Sequence, residues 1–206
     1  MSERLATTQQ PFPVHEDDQS LYRALVGSLL YLASWTRVDI SFAVSELSRF
    51  VSNPGEKHIT AAKWVFRYFK ATMKSCLQYS HPRMAQPPMS YVAPTNVPWG
   101  YVDVDWAGCP DTRKSTSGYC FMINGAAVSW RSKRQPVVAL SVSEAEFASE
   151  SSMLQEVMYL PYLLSNLGFP QPGATTVFAD NKFGDCSASP PDSSLIWGSS
   201  GHSGWI

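Results

Sequence analysis

Gly100-Tyr-Val-Asp-Val-Asp-Trp106 decides the fold of this chain. Its apolar and polar side chains alternate, which is the pattern of a half-buried strand. Asp103 and Asp105 are two residues apart, so their carboxylates share one face of that strand. Downstream, Tyr119–Ile123 and Ala126–Arg131 flank Asn124-Gly125. Asn-Gly accepts the positive φ values of a type I′ turn, so a hairpin is predicted. Val137–Leu140 continues the β-like run. Ser143-Glu-Ala-Glu146 reads as a capping box that opens a helix reaching Gly168, with a kink or early stop at Pro161. Thr175–Ala179 is a further strand ending at Asp180. The order β–β–β–α–β predicts an α/β sheet domain over residues 99–185.

Upstream the period is helical. Residues 1–20 are polar and read as a disordered tail, and 21–80 as a small helical module. Leu21, Leu25, Leu29 and Leu32 mark one apolar face. Asp39 is placed to cap a second helix with Ile40, Ala43, Val44, Leu47, Phe50 and Val51 inside. Asn53-Pro54-Gly55-Glu56 is a start signal, with Asn at the N-cap, for a third helix running to about Lys74. On that helix Lys63, Arg67, Lys70 and Lys74 form a positive stripe. It is either a contact for nucleic-acid phosphates or a solvated face opposite Trp64, Tyr68 and Phe69. Residues 81–98 hold five prolines in eighteen positions and read as a linker. Residues 186–206 are rich in Ser, Gly and Pro, without periodicity, and read as a second disordered tail.

Composition narrows the classes. Of 206 residues 44% are hydrophobic and 16% charged, which permits a core and argues against a charge-rich disordered chain. Residues 1–98 carry ten Lys/Arg against seven Asp/Glu, and the rest six against ten, so the two parts lean to opposite charge. The longest apolar run, Ala24–Trp35, is too short for a bilayer, and the first twenty residues lack a secretory apolar core. The four cysteines show no CxxC spacing. The expectation is an intracellular protein, cytoplasmic or nuclear and not secreted, with reduced thiols.

Asp103, Glu146 and Asp180 stand on a strand, at a helix start and at a strand end. If the first and last strands are neighbours, the three carboxylates converge. Such a set, with no His or Cys, suits a hard cation such as Mg²⁺, and two ions can clamp the oxygens of a phosphoryl displacement. Each acid also has a plainer use. Glu146 can complete the capping box, Asp180 can begin a turn with Asn181, and Asp105 can cap the loop before Gly108.

These residues also carry a family resemblance. Gly100–Gly108, Asp111-Thr-Arg-Lys-Ser-Thr-Ser-Gly-Tyr119, Val128-Ser-Trp-Arg-Ser-Lys-Arg-Gln-Pro136, Ala139-Leu-Ser-Val-Ser-Glu-Ala-Glu-Phe147 and Ala179-Asp-Asn181 follow in order. Together they resemble the ribonuclease H domain of Ty1/copia-type retrotransposon polyproteins. Leu21–Leu32, Arg37-Val-Asp-Ile40 and Ser48-Arg-Phe50 through Pro54 resemble the helical segment that precedes it. The resemblance spans roughly residues 21–185. It implies an RNase H-like α/β fold, a mixed sheet with a flanking helix, preceded by the helical module. It implies Mg²⁺-dependent hydrolysis, with Mn²⁺ as a substitute, of the RNA strand of RNA–DNA hybrids. It assigns Asp103, Glu146 and Asp180 as catalytic and metal-binding carboxylates. Candidate phosphate contacts are Lys63, Arg67, Lys70, Lys74, Arg113, Lys114, Arg131, Lys133 and Arg134.

The chain departs from that pattern after Asn181. The family's fourth acidic residue, following strand and last helix have no counterpart in Lys182–Ile206. The expectation is an incomplete domain with Thr175–Asp180 as an open sheet edge and with impaired activity. The alternative is an inactive remnant that at most binds nucleic acid or a partner.

Overall fold

The computed structural model describes residues 15–79, 94–109, 111–179 and 197–199. They divide into two compact units. One holds the residues up to Leu77 together with Ala107–Arg113, and the other Gln78–Trp106 and the residues from Lys114 onward. No helix among the described residues is long and apolar enough to cross a membrane.

The first unit is helical. Helix α1 spans Glu16–Trp35, α2 Ser41–Ser48 and α3 Glu56–Ala71, with a 3₁₀ turn at Val38–Ile40 before α2. α1 therefore begins inside the segment expected to be a tail. Glu16, Asp17 and Asp18 lie in its first turn, where carboxylates complement the positive helix end. Its buried stripe is Tyr22, Val26, Leu29 and Ala33, one residue round from the leucine stripe. Leu21 is exposed, and Leu25 and Leu32 flank the core. The phase follows Tyr22, whose buried hydroxyl donates to the Leu47 carbonyl at 2.7 Å. α3 starts two residues later than the Asn53 signal. Gly55 is its N-cap, and the buried His58 Nδ1 accepts the Gly55 N–H at 2.8 Å. Burial lowers the His58 pKa, which keeps the imidazole neutral and able to accept. The helix ends at Ala71, short of Lys74.

Arg37 ties these helices together. It is 5% exposed, and its guanidinium donates to both Asp39 oxygens at 2.8 and 2.6 Å. It also donates to Thr72 Oγ1 at 2.6 Å, just past α3, while the Tyr68 hydroxyl donates to Asp39 at 3.0 Å. Asp39 thus pairs with Arg37 instead of capping α2, which shows no side-chain cap bond.

The second unit is a sheet with one helix. Its strands are β1 (Trp99–Asp105), β2 (Thr116–Ile123), β3 (Ala126–Arg134), β4 (Thr176–Ala179) and β5 (Trp197–Ser199). Their order is β3-β2-β1-β4-β5. β1 pairs antiparallel with β2 and parallel with β4, and β5 pairs parallel with β4. This is a mixed sheet of RNase H-like character. Asn124 and Gly125 turn the β2–β3 hairpin at φ 52° and 87°, as Asn-Gly predicts. Two sequence expectations fail here. β4 is not an edge, because Trp197–Ser199 lies beside it, inside the segment expected to be a tail. Val137–Leu140 forms no strand; β3 ends at Arg134 and the chain bends toward the next helix.

Helix α4 spans Val142–Asn166 and packs on one sheet face. Val102, Phe121, Met153, Leu160 and Val177 form the core between them. The helix runs through Pro161 without stopping. Pro161 withholds one N–H from the ladder, while Met153 and Leu160 hold the surrounding turns against the sheet.

Replacing Asp39 by Asn should cost about 2–3 kcal/mol in urea unfolding, because Arg37 is left buried beside a neutral partner. The Arg37 hydrogen bonds hold the Asp39 pKa below its ordinary value. Its contribution is therefore present above the unfolded value of about 4 and is lost as pH falls through the lower folded value. The Asn variant should lack that acid-side dependence.

Candidate active-site cleft

From β1 the chain turns back into β2 and β3 on one side, then crosses through α4 to β4 on the other. Neighbouring parallel strands whose connections depart in opposite directions leave a crevice at their carboxyl ends. A cleft of about 220 Å³ lies there, lined by Val102, Asp103 and Val104 of β1, Val142, Glu146, Ser149 and Glu150 of α4, and Ala179 of β4.

Asp103 and Glu146 are thus brought to one cleft from two elements. Asp103 is exposed, and its Oδ1 accepts the Val104 N–H at 2.8 Å. A different acid, Glu144, serves the helix start, and Glu146 lines the cleft. Ser141 is the N-cap, its hydroxyl accepting the Glu144 N–H at 3.2 Å, and Glu144 accepts the Leu140 N–H at 2.7 Å. The cap sits two residues before the expected Ser143, so Glu146 is not part of it. Asp180 lies outside the described residues; its predecessor Ala179 lines the cleft. Asp105 is half-buried and is not among the lining residues.

Three further residues shape this site. Glu150 stands one turn beyond Glu146 on the same lining. Burial, and then the Glu146 charge, raise its pKa above the ordinary carboxylate value. The signal in the sequence was the four-residue spacing of Glu146 and Glu150. The Ser149 hydroxyl donates to the Asp103 carbonyl at 3.4 Å, joining α4 to β1. Gln135 is 5% exposed and has three bonds across the domain. Its backbone N–H donates to the Ser115 carbonyl at 2.8 Å, and its Nε2 to Ser117 Oγ at 2.8 Å and to the Ala145 carbonyl at 2.7 Å. A carbonyl only accepts, so the Ala145 bond fixes which way the amide faces. Gln135 therefore holds the turn of α4 that presents Glu146. No spacing rule marks such a residue.

The lining acids offer oxygen donors alone, the chemistry that suits Mg²⁺ or Mn²⁺. Among the described residues no three His, Cys, Asp or Glu side chains form a complete metal-ligand group. Cys120 is no nucleophile for this site, since burial within the sheet pushes its thiol up to about 11.

The basic candidates are dispersed. Arg131 and Lys133 are exposed and share one face of β3, while Arg134 takes the other. Arg113 is exposed at φ 55°, and Lys114 donates to the Pro136 carbonyl. Lys63, Arg67 and Lys70 are exposed on α3, with Lys74 exposed beyond its end.

The chain is 41% identical over 150 residues, 73% of its length, to the retrovirus-related Pol polyprotein from transposon TNT 1-94 of Nicotiana tabacum. It is 36% identical over 164 residues, 80% of its length, to that from transposon RE1 of Arabidopsis thaliana. The chain belongs to the Pol polyproteins of copia-like retrotransposons. It spans about 10% of the length of those two polyproteins. A shorter relative, the secreted RxLR effector protein 161 of Plasmopara viticola, is 42% identical over 139 residues, which cover 68% of this chain and 90% of that protein. No family model matches the chain, and no solved structure matches it. The Pol relationship spans both the helical and the sheet unit, since the RE1 match alone covers four fifths of the chain.

Replacing Gln135 by Met, which keeps its volume but removes the donor, should cost about 1–2 kcal/mol in urea unfolding, because the Ala145 carbonyl and the Ser117 hydroxyl lose their partner.

Proposed function

We propose that the cleft of this Pol-derived chain is a ribonuclease H-type site for Mg²⁺-dependent hydrolysis of the RNA strand of RNA–DNA hybrids. The observation that carries this reading is the meeting of Asp103 and Glu146 at the carboxyl ends of β1 and β4, in a Pol family member. Asp103, Glu146 and Asp180 are read as the ligands. A divalent cation bound there would polarise a water for attack on phosphorus and offset the negative charge that develops. Glu146 and Glu150 stand one turn apart on the lining, and a divalent cation held by these acids would offset their like charges. Ser149 ties α4 to β1 and Gln135 ties it to β2, so that the carboxylates need not reorganise during the reaction. Arg131, Lys133, Arg134, Arg113 and Lys114 are read as phosphate contacts, and so are the cations of α3. A substrate of this kind puts the working site inside a cell.

Purified protein given a hybrid with labelled RNA and MgCl₂ should release shortened RNA, and a chelator should stop it. Asp103→Asn and Glu146→Gln should each slow cleavage at least about a hundredfold. Glu150→Gln should raise the Mg²⁺ requirement about tenfold. Absence of cleavage at every Mg²⁺ and protein concentration sinks the enzymatic reading and leaves a non-catalytic nucleic-acid-binding fragment.

A further inference from the structure

Trp64 and Tyr68 of α3 belong, by the sequence reading, to an inner face. They stand outside, 60% and 48% exposed. The inner side of α3 is occupied by His58, Ile59 and Ala62, with Val65 and Phe66 packed against the same core. The outer arc carries Lys63, Trp64, Arg67, Tyr68 and Lys70, all exposed. From Lys57 to Lys74 the chain has five Lys/Arg and no Asp or Glu. The Arg67 guanidinium lies 4.6 Å from the centroid of the Trp64 ring, and the Tyr68 hydroxyl is held by Asp39 at 3.0 Å.

An indole left among cations on a solvated helix face satisfies no demand of the core. The combination has one complementary chemistry, a polyanion that also offers flat π-faces. Duplex nucleic acid buries its base faces in its own stack and offers this helix only phosphates. A single strand offers both. The helical rise puts Lys63 and Arg67 about 6 Å apart along the axis, with Trp64 between them in sequence.

We propose that this face of α3 binds single-stranded nucleic acid, with a base stacked on Trp64 and Lys63, Arg67 and Lys70 on the flanking phosphates. The proposal rests on reading the α3 cations as phosphate contacts and is independent of the cleft.

The full chain, with chelator present to silence any cleavage, is titrated against fluorescent oligo-dT of about 20 nucleotides and against a blunt duplex of equal length. Binding is followed by anisotropy from low salt to about 0.3 M. The single strand should bind more tightly. Trp64→Ala should weaken that binding about tenfold without changing the slope of log affinity against log salt, while Trp64→Phe keeps most of it. Replacing Lys63, Arg67 and Lys70 together by Gln should reduce the magnitude of the slope by about 2. Trp64 is exposed, so the Ala variant should unfold with the parent, which separates lost stacking from lost fold. Unchanged affinity in Trp64→Ala, or an equal loss for the duplex, overturns the proposal even if the Gln variant still loses slope, in which case the phosphate reading survives. Absence of binding to either nucleic acid overturns both.

Discussion

The sheet unit depends on β1 being paired along both edges, antiparallel to β2 and parallel to β4. A central strand must bury its backbone groups in two ladders at once, and those ladders dictate where the chain goes next. On the antiparallel side the chain runs from β1 into β2, and Asn124-Gly125 then turns β2 into β3. The parallel side needs a crossover, which α4 supplies. Because the two departures oppose each other, a crevice opens at the carboxyl ends of β1 and β4. The acids on the lining follow from that topology, not from any attraction among themselves. Burial, and then the neighbouring Glu146 charge, raise the pKa of Glu150 on that lining.

The opposite charges of the two parts of the sequence acquire locations. In the helical unit, positive charge gathers on the outer arc of α3, while the deeply buried guanidinium of Arg37 is neutralised by Asp39. In the sheet unit, negative charge gathers at the cleft. The phosphate-rich substrate proposed above would be attracted to the first arrangement directly and to the second only through a cation.

Much of this was legible in the sequence, and the errors share a cause. Asn124-Gly125 dictates its turn through backbone sterics alone, so it was read correctly. The start of α4 was misplaced because Ser141-Val-Ser143 offers two equal frames, with Glu144 or Glu146 three residues on. Local chemistry cannot break that tie. The buried Ala145, Ser149 and Gln135 break it by setting the phase of the helix against the sheet. The leucine stripe of α1 holds at Leu25, Leu29 and Leu32 and misses at Leu21, where the neighbouring Tyr22 turns inward to reach Leu47. Trp64 and Tyr68 were misassigned because aromatic character was equated with burial. Pro161 and Val137–Leu140 show propensity yielding to tertiary packing in both directions. Asp180, the remaining acid of the reading, lies beyond the described end of β4.

One close approach inside the sheet sets a limit on how this chain can vary. The Phe121 ring lies over β1, and a Cβ at Gly100 would come within 2.7 Å of that ring and 2.9 Å of the Cys120 carbonyl oxygen. Any other residue at position 100 adds at least a methyl there, and backbone on one side cannot yield. Transposon-derived copies accumulate substitutions wherever selection is relaxed, and most surface positions absorb them quietly. At this codon drift is audible. A copy that has changed Gly100 must shift the β1–β2 pairing, because a change at Phe121 alone leaves the Cys120 carbonyl in place.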